Sequence, residues 1–154
     1  RFSALRSLAQ TPRRKCRHAT EDPVIRQRLA ELEGEVRCAE TMTLRQLSAA
    51  ARDEDALVML PLLINKLYGT EIGERIAQLG FDLIGSEGLL APTRSTWDSV
   101  SSSAADTDWV DQYLFELASG IAAGSSNIPR NVIGERGLGL PRDLRRPSPN
   151  ATAH

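Results

Sequence analysis

Apolar residues recur every three or four positions along most of the chain, which is the spacing of helices rather than strands. The longest such run predicts a helix over residues 22–51, because Asp22 is a suitable N-cap and Pro23 suits the first helical position. A helix of this length is typical of a bundle, so the pattern predicts an all-α fold, an antiparallel up-down helical bundle. The apolar stripe of this helix comprises Ile25, Leu29, Leu32, Val36, Ala39, Thr43, Leu47 and Ala50.

Four further segments show helical periodicity. Residues 1–10 have no N-cap and are interpreted as the end of a truncated helix. In the segment 61–84, Pro61 begins or kinks the helix and Gly85 ends it. The others are residues 106–121, with Trp109, Val110, Tyr113, Leu114 and Leu117 facing inward, and residues 126–137, with Ser125 or Ser126 as N-cap.

These elements divide the chain into three parts. Residues 1–21 are the end of the truncated helix plus a basic connector, and residues 22–140 form the helical bundle domain. Residues 141–154 contain Pro and charge with little apolar content, and we expect them to be disordered. Within the bundle, residues 85–105 are a long loop, of a length that favours mobility or contact with a partner.

Composition narrows the classes of function. The net charge of −1 provides no basic field that would attract nucleic acid, and no stretch reaches the roughly 18 apolar residues of a membrane span. The two cysteines, Cys16 and Cys38, match neither a disulfide framework nor a zinc motif, which favours a reducing compartment, the cytoplasm. His18 and His154 have no partners at metal-ligand spacing, so no metal is expected. A chain that starts at Arg1 suggests a fragment or a processed product.

The segment GSSNIPRNVIGERGLGLPR at residues 124–142 resembles the closing signature of acyl-CoA dehydrogenases. That family commonly has Gly-Thr-Ser-Glu-Ile-Gln-Arg-Asn, an apolar helix and a Leu-Gly-Leu-Pro-Arg-like close. Here Ile128, Arg130 and Asn131 match. Ser125 replaces Thr, Asn127 replaces Glu or Gln, and Pro129 replaces the Gln that precedes Arg. DPVIRQRLAELEGEV, LLINKLYGTEIGERIAQLGFDLIG and DQYLFELASGIAAG resemble the preceding helices in family order, so the resemblance covers about residues 2–142.

The resemblance implies the C-terminal helical domain of an FAD-dependent oxidoreductase that dehydrogenates acyl-CoA thioesters at the α and β carbons. The domain would contribute FAD-binding and oligomerisation surfaces, with acyl-CoA as the substrate of the complete enzyme. The alternative is a non-catalytic helical dimerisation module or partner subunit that retains the fold.

The family's catalytic base lies at one of two places, and neither provides one here. One corresponds to Ala123, whose methyl group cannot accept a proton, and the other lies upstream of Arg1. Asp111 and Glu116 are predicted on the solvated side of their helix and fit no motif. We therefore expect no catalytic residue in this chain.

Several residues are implied in cofactor binding. Gly85, Ser86 and Gly88 resemble a family turn whose backbone approaches the FAD pyrophosphate or adenosine of a neighbouring subunit, although a glycine there also suits a helix C-cap. Asp82 replaces the family's usual Gln and places a negative charge near that turn. Ser125 and Asn127 stand at a helix N-terminus, which favours phosphate or flavin oxygens but equally suits ordinary capping. The basic connector, with Arg13 and Arg14, is either an FAD-phosphate contact or a solvated loop.

The family also implies association into a dimer or tetramer, or with a related dehydrogenase subunit. An independent reason is the nearly continuous apolar run at residues 57–63, which cannot all face one core. The alternative cover for this run is the 85–105 loop or other domains of the same protein.

Overall fold

The computed structural model describes residues 1–12, 18–52, 59–89, 108–122 and 125–142, and these contain helices and turns but no strand. The predicted all-α fold is confirmed. The elements are α1 (Phe2–Gln10), α2 (Pro23–Ala50), α3 (Met59–Ile84), α4 (Trp109–Ser119) and α5 (Asn127–Val132). Two 3-10 turns, Ala19–Glu21 and Gly85–Leu89, and a π-helical turn, Ile133–Gly137, complete the described elements.

The predicted start of α2 is confirmed, because local side-chain chemistry determines it. The Asp22 carboxylate accepts a hydrogen bond from the Val24 backbone N–H at 2.8 Å, and Pro23 occupies the first helical position. The start of α3 differs from the prediction, since the helix begins at Met59 rather than residue 61. Pro61 therefore lies within the first turn, where backbone N–H groups have no partner inside the helix and its missing donor costs little.

The start of α4 also differs, at Trp109 instead of residue 106. The Asp108 carboxylate caps it, accepting from the backbone N–H groups of Val110 at 3.0 Å and Asp111 at 3.2 Å. Residues 106 and 107 lie outside the described part of the chain.

Helices α2 and α3 are antiparallel, as predicted. Contacts between them step in opposite directions along the two helices: Arg28 with Asp82, Glu35 with Arg75, and Gln46 with Asn65. The stripe predicted for α2 is correct near its start, where Leu29 and Leu32 are buried. It is wrong near its end, where Thr43, Leu47 and Ala50 are exposed. There the helix turns Gln46 and Ala49 towards α3, so Ala49 is buried instead.

Helix α4 packs along α3 through glycine contacts seven residues apart. A Cβ at Gly80 would lie 1.9 Å from Trp109 Cε3, and a Cβ at Gly73 would lie 2.8 Å from Glu116 Oε2. The step from Gly80 to Gly73 thus matches the step from Trp109 to Glu116, and α4 runs antiparallel to α3.

This orientation corrects the prediction for α4. Asp111 and Glu116, expected on the solvated side, are each only 3% exposed, and Gln112 is 4% exposed. Leu114 and Leu117, expected to face inward, are 51% and 52% exposed. The reason is the fit of Trp109 and Glu116 over the two α3 glycines, which directs the leucines outward.

The core lies where α1, α2, α3 and α4 meet. Its buried side chains come from all four helices: Ala4, Leu5, Ala9, Leu29, Leu32, Ile72, Ile76, Leu79 and Trp109. Leu5 and Leu79 are completely buried. Helix α1 is therefore part of the same hydrophobic core as the longer helices.

Candidate functional site

The glycine turn after α3 is shaped by the chain itself. Gly85 ends the helix with a φ of +59°, a left-handed conformation that glycine adopts without steric cost. At Gly88, a Cβ would lie 2.9 Å from Cε2 of Phe81, whose ring stacks on Tyr113 at a centroid distance of 4.8 Å. The structure thus confirms Gly85 as a helix stop. The fold alone thus explains why glycine occupies positions 85 and 88. Gly85 and Ser86 are exposed to solvent.

The negative charge of Asp82 beside this turn is paired. Its Oδ2 accepts a hydrogen bond from Arg28 Nη1 at 3.1 Å, and its Oδ1 accepts one from Gln78 Nε2 at 2.8 Å. In this ion pair, the Arg28 side chain is 39% exposed and the Asp82 side chain is 40% exposed. The carboxylate that replaces the family's Gln is therefore accompanied by a guanidinium from α2, 54 residues away in sequence.

Ser125 and Asn127 lie at the start of α5, where the sequence placed them. Both side chains are exposed, and the Ser125 carbonyl accepts a hydrogen bond from the Ile128 N–H at 2.9 Å. Ser126 occupies the N-cap position without a capping side-chain bond. Pro129 is buried, and an ion pair between Arg130 and Glu71 joins α5 to α3.

The glycine turn (Gly85, Ser86 and Gly88) and the start of α5 (Ser125 and Asn127) are not brought together within one chain. The Arg130–Glu71 pair places α5 beside the middle of α3, whereas Gly85 follows its last residue. At 1.5 Å per residue, Glu71 and Gly85 are separated by roughly 20 Å along the helix axis. The glycine turn and Arg130 therefore cannot contact the same phosphate group of one ligand.

Three other candidates, Arg13, Arg14 and Ala123, lie outside the described residues. The described residues that flank the basic connector are in contact, because His18 Nδ1 lies 2.6 Å from the Gln10 carbonyl oxygen. The His18 N–H also donates to Glu21 Oε1 at 3.3 Å, which closes the short 3-10 turn before α2.

Glu116 is a buried ionisable residue whose position the sequence analysis missed. Its carboxylate forms an ion pair with Arg1, and its Oε2 accepts a hydrogen bond from Ser119 Oγ at 2.9 Å. The Arg1 guanidinium also lies 5.5 Å from the centroid of the Phe115 ring, and burial lowers the pKa of Arg1. These contacts join α1 to α4 and give Glu116 a structural role. The matching seven-residue steps of Gly73–Gly80 and Trp109–Glu116 are the sequence signal that identifies this face.

Two cavities lie between the long helices, and the second is lined in part by Glu116. One of about 380 Å³ lies between the end of α2 and the start of α3, lined by Met42, Arg45, Gln46, Ser48, Ala49, Arg52, Pro61 and Ile64. A smaller groove of about 220 Å³ lies between α3 and α4, lined by Glu74, Arg75, Gln78, Tyr113, Glu116 and Leu117.

The described ranges hold neither a metal-binding group of side chains nor a membrane-spanning helix. Across those residues, no three His, Cys, Asp or Glu side chains are grouped so that they could hold a metal ion. None of the helices described is both long and apolar enough to cross a membrane.

Comparison with known families assigns the chain. Residues 2–138 match the family model described as acyl-CoA dehydrogenase, C-terminal domain. The chain therefore belongs to the acyl-CoA dehydrogenase family and corresponds to its C-terminal helical domain. The resemblance inferred from the signature at residues 124–142 is confirmed.

Curated relatives agree with this assignment. The chain is 30% identical over 141 residues to acyl-CoA dehydrogenase IpdE1 of Mycobacterium tuberculosis, covering 92% of this chain and 32% of the relative. It is 28% identical over 127 residues to IpdE1 of Mycolicibacterium smegmatis, covering 82% of this chain and 28% of the relative. The chain thus spans about a third of the length of these relatives.

Solved structures show the same fold. The structure titled Tcur3481-Tcur3483 steroid ACAD has a TM-score of 0.68 and 19% identity, covering 92% of this chain and 34% of that one. The ChsE4-ChsE5 complex from Mycobacterium tuberculosis has a TM-score of 0.66 and 17% identity, covering 92% and 35%. At these identities the likeness establishes the helical architecture alone.

Proposed function

We propose that this chain is the C-terminal domain of an FAD-dependent oxidoreductase that dehydrogenates acyl-CoA thioesters, and that it contributes FAD-binding and oligomerisation surfaces but no catalytic base. The observation that carries the proposal is the exposed glycine turn at the end of α3, in a chain that matches the family's C-terminal domain over residues 2–138. In the complete enzyme, FAD supplies the acceptor for the hydride from the acyl β-carbon.

Two regions of the bundle have exposed groups that could contact a dinucleotide, one at the end of α3 and one beside its middle. At the end of α3, the exposed backbone of Gly85 and Ser86 can approach a diphosphate or adenosine, with Gly88 shaping the turn. Beside the middle of α3, Ser125 and Asn127 offer exposed polar groups to flavin or phosphate oxygens. Arg13 and Arg14 remain further proposed phosphate contacts.

Proton removal from the acyl α-carbon needs a carboxylate, and the family's base position in this chain does not carry one. The family position for the base is occupied by Ala123. Glu116, two helical turns earlier, is engaged by Arg1 and Ser119 in the α1–α4 contact. We therefore propose that the base comes from another segment of the protein or from a partner chain.

The glycine turn is proposed to serve a shared site. In the family that residues 85–88 resemble, this turn approaches the FAD of a neighbouring subunit, and we propose the same use here. Both structural neighbours are named as pairs of chains, which favours pairing with a related dehydrogenase chain alongside self-association. The second candidate function is a non-catalytic partner subunit, which the alanine at position 123 favours.

The first prediction is that the purified chain binds FAD saturably but does not oxidise acyl-CoA. Enoyl-CoA formation with an artificial electron acceptor should equal the rate without protein, because Ala123 occupies the family's base position. Ala123→Glu should not restore turnover, since a carboxylate alone does not complete the acyl pocket. Turnover by the unchanged chain would contradict the proposal, whereas FAD binding without turnover supports it.

The second prediction concerns association. Of the apolar run at residues 57–63, Met59 and Leu62 are 58% and 46% exposed, while Leu60 contacts Gly137 and residues 57 and 58 lie outside the described part. Light scattering at micromolar concentration should show a dimer or tetramer, because such exposed apolar surface marks interfaces. Met59→Lys combined with Leu62→Lys, both on α3, should shift the equilibrium towards monomer. Val24→Lys, at an exposed apolar position on α2, should not. A soluble 16.9 kDa monomer of the unchanged chain would contradict this prediction.

A further inference from the structure

The cavity between the end of α2 and the start of α3 is large enough to hold a small organic molecule. Its volume of about 380 Å³ lies within the range of roughly 300–1,000 Å³ that is usual for ligand pockets, whereas the groove between α3 and α4 measures about 220 Å³. No Asp or Glu is among the described residues that line the larger cavity, so no described carboxylate there would repel an anion. Four of its lining residues are apolar: Met42, Ala49, Pro61 and Ile64.

Arg45 lines this cavity and carries a charge that no described residue neutralises. The other arginines of α2 all donate to carbonyl or carboxylate oxygens of described residues: Arg26, Arg28 and Arg37. Side chains three and four positions away share the helix face of Arg45, and none of them is acidic. They are Thr41, Met42, Ser48 and Ala49. The five N–H donors of the Arg45 guanidinium are therefore available to a ligand.

The second arginine of the cavity, Arg52, differs from Arg45. It already takes part in an interaction, and the acidic residues 53–55 follow it in the sequence. Arg45 and Arg52 are seven residues apart, which corresponds to roughly 10 Å along α2. An anion is therefore favoured at the Arg45 end, and an apolar chain attached to it can extend along the cavity towards Pro61.

We propose that this cavity binds an aliphatic monocarboxylate, with the carboxylate on the Arg45 guanidinium and the chain against Met42 and Ile64. The planar guanidinium can bind a carboxylate through two parallel N–H groups. Gln46, which also lines the cavity, accepts a hydrogen bond from Asn65 Nδ2 at 2.8 Å through its Oε1, so its own amide N–H groups remain as further donors. This site goes beyond the proposed FAD contacts, because roughly 30 Å of α3 separates residue 65 from the glycine turn.

The test is a titration of the full chain with octanoate, in which the backbone amide NMR signals of Met42 and Ile64 are followed. Octanoate should shift both signals saturably. Octanol, which has the same chain without the charge, should bind about tenfold more weakly, the expected loss of a charge-assisted hydrogen bond. Butyrate should also bind more weakly, because it buries less apolar surface. Higher salt should weaken the binding of octanoate but not that of octanol, an effect that a merely structural role for Arg45 would not produce.

Substitution of Arg45 separates the charge from the cavity. Arg45→Gln should weaken octanoate binding by about tenfold and leave octanol binding unchanged, because only the carboxylate uses the guanidinium. Arg45→Lys should restore part of the loss. The matched control is Arg37→Gln, which removes another exposed arginine of α2 that does not line the cavity and should leave octanoate affinity unchanged. Since Arg45 is exposed, we expect all three variants to fold, and thermal unfolding checks this.

Three results would each overturn the proposal: no saturable octanoate shift at Met42 and Ile64, octanol binding as tight as octanoate, or unchanged octanoate affinity in Arg45→Gln. Cavity signals that shift when the protein is diluted, but not when octanoate is added, would show that a second copy of the chain fills the cavity, and would also overturn it. The proposed FAD function is tested separately, by signals of the glycine turn.

Discussion

Gly80→Ala is expected to lower the free energy of unfolding by about 3 kcal/mol, at the upper end of the usual cost of overpacking a core. The added Cβ would lie 1.9 Å from Trp109 Cε3, so either the indole or the whole of α4 must move. Trp109 is only 6% exposed and belongs to the core, so the displacement spreads to its neighbours. Urea denaturation followed by far-UV circular dichroism measures the change.

The matched control is Gly69→Ala, at another glycine of α3. A Cβ there meets no atom within 4 Å, so only the helical preference for alanine acts. That preference should raise the free energy of unfolding by up to about 1 kcal/mol. Opposite signs at two glycines of one helix would confirm that α4 packs along the Gly73–Gly80 face. Equal stability of Gly80→Ala and the unchanged chain would contradict the described packing.

Arg1→Gln is the other substitution with a large expected effect. It removes the charge that faces Glu116, whose side chain is 4% exposed, and leaves the carboxylate with the Ser119 hydroxyl as its described hydrogen-bond donor. Removing one member of a buried ion pair leaves an uncompensated charge, which is strongly destabilising. Because the Arg1 side chain is itself 41% exposed, we expect less than the roughly 3–5 kcal/mol lost when a fully buried pair is broken, that is, about 2–3 kcal/mol at neutral pH.

The double variant distinguishes the ion pair from general damage to α1. Arg1→Gln combined with Glu116→Gln should recover most of the loss, because the buried group is then neutral and still bonded. Arg142→Gln, which breaks the ion pair with Glu135 at a site where Arg142 is 77% exposed, should change stability by less than about 0.5 kcal/mol. A fully additive double variant would show that Arg1 and Glu116 do not interact.

Features with a local cause could be predicted from the sequence. The Asp22 cap, the Pro23 start and the Gly85 stop each depend on a few neighbouring residues, and the structure has all three. The approximate extent of α2 and α3 followed from the same signals, together with the apolar periodicity.

Features that depend on contacts between helices could not be predicted in the same way. The outward direction of Leu114 follows from two glycines on α3, and the burial of Glu116 depends on Arg1 at the far end of the chain. The apolar pattern of a short helix such as α4 does not show that its buried polar side chains have hydrogen-bond or ion-pair partners on other helices. Physical packing therefore overrode periodicity on this helix.

The candidate site shows the same division. The signature at residues 124–142 and the glycine turn were recognisable as motifs, but their separation of roughly 20 Å along α3 became evident only from the docking of Arg130 on Glu71. Likewise, the negative charge of Asp82 was visible in the sequence, whereas its guanidinium partner lies on a different helix.

The most direct test of the central claim, that this domain contributes an FAD contact at the turn after α3, is a titration of the isotope-labelled chain with FAD. We expect saturable binding, in which FAD shifts the backbone amide NMR signals of Gly85, Ser86 and Gly88. The signals of Met42 and Ile64, which line the cavity between α2 and α3, should not shift. Absence of FAD-dependent shifts at the turn, at concentrations where the chain remains folded, would contradict it.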